Sequence, residues 1–315
     1  MASSGVSGAL SARAKINLFL HVGARRDDGF HPLQSLAIFP EFGDRLTAET
    51  ADDLSLVVEG PFAAALTDGD ARADGDNLVL KAARALAEHL GRAPQAKLTL
   101  VKNLPVASGI GGGSADAAAA LRALANLWRA DMDQNALCEI AAGLGSDIPV
   151  CIASAPAFME GRGEILTPLP SLPPLPLLLV NPGVAVPTKE VFAALSNRRG
   201  TELSLPRNGF GDLADLLRFL EATSNDLEAP ALGLQPVIGE VLLALKGLPG
   251  ALFTRMSGSG ATCFALLADH DGCGRAAAML KAKHPDWWIA PTAVPGKGQP
   301  HESRGRDIGP TPDGL

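Results

Sequence analysis

The stretch at residues 108–118, SGIGGGSADAA, places four glycines in five positions and then opens a run of alanines. Glycine inside a regular element costs about 0.5–1 kcal/mol relative to alanine, so this density indicates a loop with a special backbone. The strand-like segment 96–101 precedes the loop, and a strongly helical segment runs from Ser114 to about Trp128. A strand, a glycine loop and a helix bind anions well, because free N–H groups and the positive end of the helix dipole face the ligand. The feature predicts a phosphate-binding loop.

The loop does not match two common phosphate-binding motifs. A Walker A loop needs a lysine before Ser114, and none is present, so that motif is excluded. A dinucleotide fingerprint needs GxGxxG, whereas Gly109, Gly111 and Ser114 form GxGxxS, and a proline ends the strand before the loop. A tight turn without a ligand remains an alternative, although a turn rarely needs four glycines.

Composition bounds the class of protein. The 315 residues suggest about two domains, and a hydrophobic content of 47% is enough for full cores. A net charge of −7 argues against nucleic acid or an anionic membrane as the main partner. A phosphorylated ligand then requires local positive charge, and lysines and arginines do lie beside the motifs, at Lys15, Arg25, Arg26 and Lys102.

The sequence predicts a cytoplasmic protein. The longest apolar run, LPLLLV at 175–180, is far too short to span a bilayer. Arg13 and Lys15 stand where a signal peptide needs an apolar core. The cysteines form no CxxC pair and no metal-ligand spacing, so we expect reduced thiols at Cys138, Cys151, Cys263 and Cys273.

Hydrophobic periodicity predicts two units. The first contains strands at 12–22, 33–40, 96–101 and 150–153 (VCIA), and helices after Asn77, from Ser114 to Trp128, and near 133–143 with Asp133 as cap. The second mixes strands (LLLVNP and CFALLA) with helices near 188–196, 211–222, 236–247 and 274–283.

The domain boundary is predicted where the composition shifts. Seven prolines lie between Pro168 and Pro187, which favours a linker region. We predict an N-terminal domain at 1–160 and a smaller α+β domain at 161–290. Residues 291–315 carry five prolines, five glycines and almost no large apolar side chain, so we expect a disordered tail.

Three segments together resemble the GHMP kinases, which include galactokinase and the homoserine, mevalonate and phosphomevalonate kinases. They are SARAKINLFLHV near the N-terminus, LPVASGIGGGSADAAAAL at the loop and RMSGSGATCFAL near the C-terminus. The resemblance implies an α+β fold of two domains. The first is a mixed α/β domain with a left-handed βαβ-type phosphate-binding unit, and the second is a smaller ferredoxin-like domain. ATP is the implied co-substrate, with Mg²⁺, and its phosphate loop would comprise Pro105, Gly109, Ile110, Gly111, Gly112, Gly113 and Ser114.

The segment AKINLFLHVGARRDDGFHPLQSL is similar to one branch of that family, which phosphorylates the 2-hydroxyl of 4-diphosphocytidyl-2-C-methylerythritol in the non-mevalonate isoprenoid route. The segments GDNLVLKAA, LGSDIPVCI, FMEGRGEILTPL, PGVAVPTKEVF and SNDLEAPAL match it as well. The resemblance implies Asp147 as the base for the attacking hydroxyl and Lys15 as its electrostatic partner. Taken alone, Asp147 is also explained as a turn cap before Pro149, and Lys15 as a solvated residue at a strand start.

The same resemblance implies the ligand contacts. Phe30 would stack on cytosine where the family usually has tyrosine, with His31 reading the polar edge and Phe192 as a second wall. The other substrate contacts implied are Asn17, Gly258, Ser259 and Gly260, and the residues implied near adenine are Asn77 and Lys102. Ser114 is a candidate oxygen for Mg²⁺, or simply a helix N-cap. Each of these residues could also serve a purely structural role, such as a core aromatic, a turn histidine, an inward-facing strand amide or a glycine hinge.

Two other functions remain open from the sequence. The chain could be another GHMP kinase for a small alcohol, which would leave the GFH segment without a use. It could also be a non-catalytic nucleotide-binding relative, although such proteins typically lose the base or the lysine. The expected partner is a small molecule, with neither nucleic acid nor membrane, and the expected state is a monomer or a homodimer.

Overall fold

The computed structural model describes residues 8–27, 31–67, 76–196, 203–204, 206 and 208–296. The strands are β1 Leu10–Arg13, β2 Ile16–Val22, β3 Leu33–Ile38, β4 Gly43–Glu49, β5 Ser55–Glu59, β6 Lys97–Val101, β7 Ala157–Gly161, β8 Ile165–Pro168, β9 Leu175–Asn181, β10 Ala251–Met256, β11 Cys263–Leu267 and β12 Trp288–Val294. The helices are α1 Leu78–His89, α2 Gly112–Leu127, α3 Gln134–Leu144, α4 Ile148–Ala153, α5 Thr188–Ala193, α6 Leu213–Glu221, α7 Glu228–Leu234, α8 Val237–Lys246 and α9 His270–Lys283, with a short 3-10 turn at Ala63–Ala65.

The first sheet carries the glycine loop. Its strand order is β1-β4-β6-β5, and only the β5–β6 pair is parallel, joined through α1 as a βαβ unit. Helix α1 follows Asn77 as the sequence predicts, and the Asn77 side chain caps it by accepting a hydrogen bond from the Val79 N–H at 2.9 Å. The apolar face of this sheet packs against α1 and α2, and α4 packs on α2 in the same core.

The second sheet is antiparallel and has the order β2-β3-β7-β8. All seven residues of β2 are buried. Apolar residues such as Ile16 and Leu18 in this sheet share one core with Leu177 and Leu179 of β9. That core joins the second sheet to the third.

The third sheet has the order β10-β11-β9-β12 and is antiparallel throughout. With α8 before β10 and α9 between β11 and β12, this is the ferredoxin-like arrangement that the resemblance implies. Leu178 and Val180 of β9 face the helices, whereas Leu177 and Leu179 face the second sheet. Because both faces of β9 are buried, its sequence is a continuous apolar run. Among the residues described, no helix combines the length and apolar character that crossing a bilayer requires.

The predicted strand VCIA is wrong, because residues 150–153 belong to helix α4. Periodicity cannot separate a short apolar strand from a buried helical turn. Here Pro149 lies in the first turn, where its missing N–H costs nothing. Asp147 therefore lies between two helices and not between a helix and a strand.

The predicted disordered tail is wrong at its start. Residues up to Val294 form β12, which pairs with β9 along its whole length. The strand lies at the edge of the sheet, where a proline such as Pro291 is tolerated. Its buried positions alternate through Ala290, Thr292 and Val294. Residues 297–315 lie outside the described residues.

Candidate active site

A large cavity of about 1630 Å³ collects most of the predicted residues. Ligand sites in proteins usually measure about 300–1000 Å³, so this cavity has room for more than one ligand. The predicted catalytic residues Lys15 and Asp147 line it. So do the predicted nucleotide residues Asn77, Lys102, Pro105, Gly109 and 111–114. The predicted substrate residues that line it are Asn17, His31, Phe192, Gly258 and Ser259.

Two predicted residues are placed differently, and a third lies outside the described part of the chain. Ile110 is fully buried in the core, so its side chain does not face the cavity. Gly260 lies beneath the cavity wall, and a Cβ there would meet the Met256 sulfur at 2.7 Å. Phe30 lies outside the described residues.

The glycine loop leads directly into α2. Gly111 is the N-cap residue with φ 64°, a left-handed conformation that favours glycine. The helix begins at Gly112, and its first N–H groups have no partner within the helix. Ser114 is the third helical residue, so it does not cap the helix. The N–H groups and the helix dipole make this end of the cavity suited to an anion.

A second glycine turn holds the first one in place. A Cβ on Gly109 would lie 2.6 Å from Ser257 O and from Gly260 N, and Gly109 has φ 74°. The Ser257 hydroxyl donates to Gly109 O at 3.1 Å. Conversely, a Cβ on Gly258 would lie 2.7 Å from Gly109 O. The glycines at 109 and at 258–260 therefore allow two backbones from opposite ends of the chain to touch.

Lys15 and Asp147 form an ion pair in the cavity wall, with Lys15 Nζ 2.7 Å from Asp147 Oδ2. The Lys15 side chain is only 5% exposed, so it is not a solvated lysine. Asp147 is the N-cap residue of α4, yet its side chain makes no capping hydrogen bond. The backbone N–H of Lys15 donates to Ile110 O at 2.9 Å, which ties the lysine to the glycine loop. A carboxylate beside an ammonium and an anion site can accept a proton where negative charge develops.

His31 and Phe192 make an aromatic wall. Their ring centroids lie 5.9 Å apart with planes inclined at 30°. His31 Nδ1 lies 3.0 Å from Gly23 O. Since a carbonyl only accepts, Nδ1 carries a proton, and in the neutral ring Nε2 keeps its lone pair.

Asn17 is well bonded inside β2. Its Nδ2 donates to the Ser35 hydroxyl at 2.6 Å, and its backbone N–H donates to the Ser257 hydroxyl at 3.1 Å. The Cβ position of Gly258 lies 3.4 Å from Asn17 Oδ1. Asn17 therefore joins β2 to the second glycine turn.

Lys102 is buried and doubly paired. Its Nζ lies 2.5 Å from Asp44 Oδ2 and 2.7 Å from Asp116 Oδ2. Burial opposes the charge on Lys102, but the two carboxylates outweigh it, so the pKa of Lys102 is raised. Burial raises the pKa of Asp116 to about 8.

The sequence analysis missed several residues that shape this site. Asn225 Nδ2 donates to Met256 O and to Gly258 O, both at 2.8 Å, so it fixes the second glycine turn. The Cβ position of Gly163, in the β7–β8 hairpin, lies 3.7 Å from Asp147 Oδ1. The segments SNDLEAPAL and FMEGRGEILTPL contain both residues and were the available signal. Asp44 carried no local signal, because its partner lies 58 positions away.

Known proteins match this chain over most of its length. The family model described as "GHMP kinases N terminal domain" matches residues 77–155, and the model described as "GHMP kinases C terminal" matches residues 203–286. The 4-diphosphocytidyl-2-C-methyl-D-erythritol kinase of Parvibaculum lavamentivorans is 51% identical over 291 residues, covering 91% of this chain and 98% of the relative. The enzyme of that name from Cereibacter sphaeroides is 50% identical over 288 residues, covering 90% and 98%. A crystal structure of 4-(cytidine 5'-diphospho)-2C-methyl-D-erythritol kinase matches with TM-score 0.75 at 35% identity, covering 92% of this chain and all of that one.

The fold and the site thus define a GHMP kinase, an ATP-dependent kinase of small molecules. Within that class, the chain belongs to the family of 4-diphosphocytidyl-2-C-methyl-D-erythritol kinases. These relatives favour the cytidine-specific branch over the other GHMP kinases and over a non-catalytic relative.

Proposed function

We propose that this chain transfers the γ-phosphoryl group of ATP to the 2-hydroxyl of 4-diphosphocytidyl-2-C-methyl-D-erythritol, in the non-mevalonate route to isoprenoid precursors. The observation that carries this proposal is the Lys15–Asp147 ion pair at 2.7 Å, in the wall of a cavity that also holds the glycine loop. The relatives named for this substrate support the choice of alcohol.

In this proposal the glycine loop holds the nucleotide. The N–H groups of 111–114 and the start of α2 would bind the phosphates, with Gly109 setting the path of the loop. Ile110 would contribute only its backbone, since its side chain is in the core. Asn77 and Lys102 line the same cavity and would lie on the adenine side, whereas Pro105 would begin the phosphate loop.

Asp147 and Lys15 would act on the alcohol. Phosphoryl transfer needs alignment and charge neutralisation more than covalent help from the protein. The substrate oxygen would form a bond to the γ-phosphorus as the bond from that phosphorus to the β-phosphate oxygen breaks, and Asp147 would accept the hydroxyl proton. Lys15 would stabilise the negative charge and orient the carboxylate.

The aromatic wall would recognise cytosine. Stacking is worth about 1–3 kcal/mol per base, and Phe30 and Phe192 would supply it. The Nε2 lone pair of His31 would accept a hydrogen bond from the cytosine amino group. Asn17, Gly258 and Ser259 would then lie along the rest of the substrate. Gly260 does not line the cavity and would only shape their turn.

We further propose that Mg²⁺ accompanies ATP. The described part of the chain contains no group of three or more metal-binding His, Cys, Asp or Glu side chains. A site with few protein ligands suits Mg²⁺, because this ion keeps substrate phosphates and waters as most of its ligands. Ser114 lines the cavity, and its hydroxyl is the protein oxygen that would hold the ion. The bound ion would neutralise phosphate charge.

We also propose the cellular location, the oligomeric state and the domain division of the enzyme. The four free thiols, including the buried Cys151 and Cys263, suit the reducing cytoplasm. We propose a monomer or a homodimer acting on a small molecule, without nucleic acid. We also propose two domains, with the division moved from residue 160 to the proline-rich segment after β8, because β8 pairs with β7, and with the second domain extended to include β12.

The test is the variant Asp147→Asn, which keeps the shape of the side chain and removes the base. We expect kcat to fall by about 100-fold or more, because the proton of the hydroxyl has no acceptor. ATP affinity, measured by calorimetry, should stay within about threefold, since the nucleotide contacts lie on the loop.

A matched control is Asp133→Asn, because Asp133 caps α3 at its exposed N-terminus and asparagine caps equally well. Its kcat should equal that of the unaltered chain. A kcat for Asp147→Asn as high as that of this control would overturn the assignment of Asp147 as the base.

A further inference from the structure

Three buried ionisable side chains lie under the glycine loop. We call Asp44, Lys102 and Asp116 the ion triad; they are 0%, 2% and 2% exposed. Asp44 lies in β4, Lys102 directly follows β6, and Asp116 lies in the first turns of α2. The ammonium joins the two carboxylates at 2.5 and 2.7 Å. The triad thus connects three separate elements of the first sheet and its helix.

The ion triad holds both ends of the loop. The second oxygen of Asp44 accepts hydrogen bonds from the backbone N–H groups of Asn103 at 2.6 Å and Leu104 at 2.8 Å, just before the loop. Asp116 holds the chain just after it. In addition, a Cβ on Gly112 would lie 3.1 Å from Lys102 Nζ, so the first helical residue rests directly on the ammonium.

Stability alone does not explain this arrangement. Burying charges is costly, and replacing such a cluster with well-packed apolar residues is often neutral or stabilising. The cluster is also incompletely paired, because Asp116 Oδ1 has no hydrogen-bond partner among the described residues. Unlike apolar packing, the ion triad supplies directional contacts between β4, the start of the loop and α2.

We propose that Asp44, Lys102 and Asp116 are positioning residues that hold the two ends of the glycine loop at the separation that nucleotide phosphates require. The proposal rests on ATP binding at this loop, as proposed above. Asp44 does not line the cavity, so any effect of changing it on the nucleotide is transmitted through the triad.

The test is Asp44→Asn. Its oxygen can still accept from Asn103 and Leu104, but its NH₂ group then faces Lys102 and the ion pair is lost. We expect the Kd for a non-hydrolysable ATP analogue, and KM for ATP, to rise about tenfold, equivalent to ~1.4 kcal/mol. In contrast, kcat and KM for the alcohol should change less than about threefold, since Lys15 and Asp147 are untouched.

The matched control is Glu49→Gln on the same strand. Glu49 pairs with Lys97 across the same two strands at 3.8 Å, but both side chains are more than 40% exposed. Such a pair contributes little, so nucleotide binding should not change. In a double variant with Lys102→Met, Asp44→Asn should add less than about twofold to the effect of Lys102→Met alone, because the shared partner is already gone.

Analogue binding by Asp44→Asn that matches Glu49→Gln would overturn the proposal, even if the melting temperature falls. If Asp44→Asn does not fold, Asp116→Asn tests the same connection from the helix side. Because Asp116 lines the cavity, its effect on analogue binding must also disappear in the Lys102→Met background, and an effect that persists there would overturn the proposal. Analogue binding needs no turnover. It therefore separates the two proposals. If only the proposed reaction fails, the analogue still binds but no alcohol is phosphorylated.

Discussion

At the scale of single residues, the site depends on two backbones that approach more closely than side chains allow. Gly109 and Gly258 each lack room for a Cβ, and each has a positive φ. Non-glycine residues in such conformations cost of order 1–3 kcal/mol. The glycine loop therefore takes its shape partly from the C-terminal sheet and not only from its own sequence.

The variant Gly109→Ala tests this interlock. The new methyl group would lie 2.6 Å from backbone atoms of Ser257 and Gly260, so one of the two turns must move. We expect the free energy of unfolding to fall by about 1–3 kcal/mol and ATP affinity to fall with it, as measured by chemical denaturation and calorimetry.

Gly274→Ala in α9 is the control, because its Cβ would meet nothing within 4 Å. Helix propensity predicts a gain of up to about 1 kcal/mol there, with unchanged ATP affinity. If the two alanine variants behaved alike, the close approach at Gly109 would not matter.

The sequence identified Lys15 and Asp147 only through the family resemblance, because each residue taken alone is also typical of an ordinary structural role. The structure adds what no local pattern contains, namely that the two side chains meet across the fold at 2.7 Å. Asp44 was missed for the same reason, since its partners Lys102 and Asp116 are distant in sequence. Contacts of this kind depend on strand register and not on nearby residues.

At the scale of elements, helices with caps were the most predictable. Asp133 caps α3 as the sequence predicts, and α1 begins directly after Asn77 as expected, with Asn77 as its cap. No strand was predicted at Gly43–Glu49, and the short apolar run VCIA was assigned to the wrong element. Strands and short buried helices depend on neighbours that supply their pairing or burial, so sequence periodicity separates them poorly.

Strand β12 is the element whose role departs most from expectation, and truncation measures that role. A chain ending at Trp287 would lose β12 and leave the edge of β9 unpaired. We expect this variant to unfold or aggregate. A chain ending at Gly296 keeps all of β12, and we expect its melting temperature within about 2 °C of that of the full chain, which corresponds to about 1 kcal/mol for a chain of this length.

Circular dichroism and thermal melts of both truncated chains test whether β12 is needed for folding. Cooperative unfolding of the chain ending at Trp287 at the normal temperature would contradict the assigned role of β12.

At the scale of the whole molecule, the cavity forms where the three sheets and their helices meet. Arg255 of β10 is one of the joints: it donates to Leu18 O of β2 at 2.9 Å and to Leu220 O of α6 at 3.1 Å. The loop, the ion pair and the aromatic wall come from distant parts of the chain. Order along the sequence, together with the resemblance, predicted which segments matter but not their separations.

The central claim is that this cavity phosphorylates a cytidine-linked alcohol, and product analysis tests it most directly. The purified chain would be incubated with Mg-ATP and 4-diphosphocytidyl-2-C-methyl-D-erythritol, with mevalonate, phosphomevalonate and homoserine in parallel, and the products weighed by mass spectrometry. We predict a singly phosphorylated product from the cytidine compound alone. Product from another alcohol instead, or from none while ATP still binds, would contradict the claim.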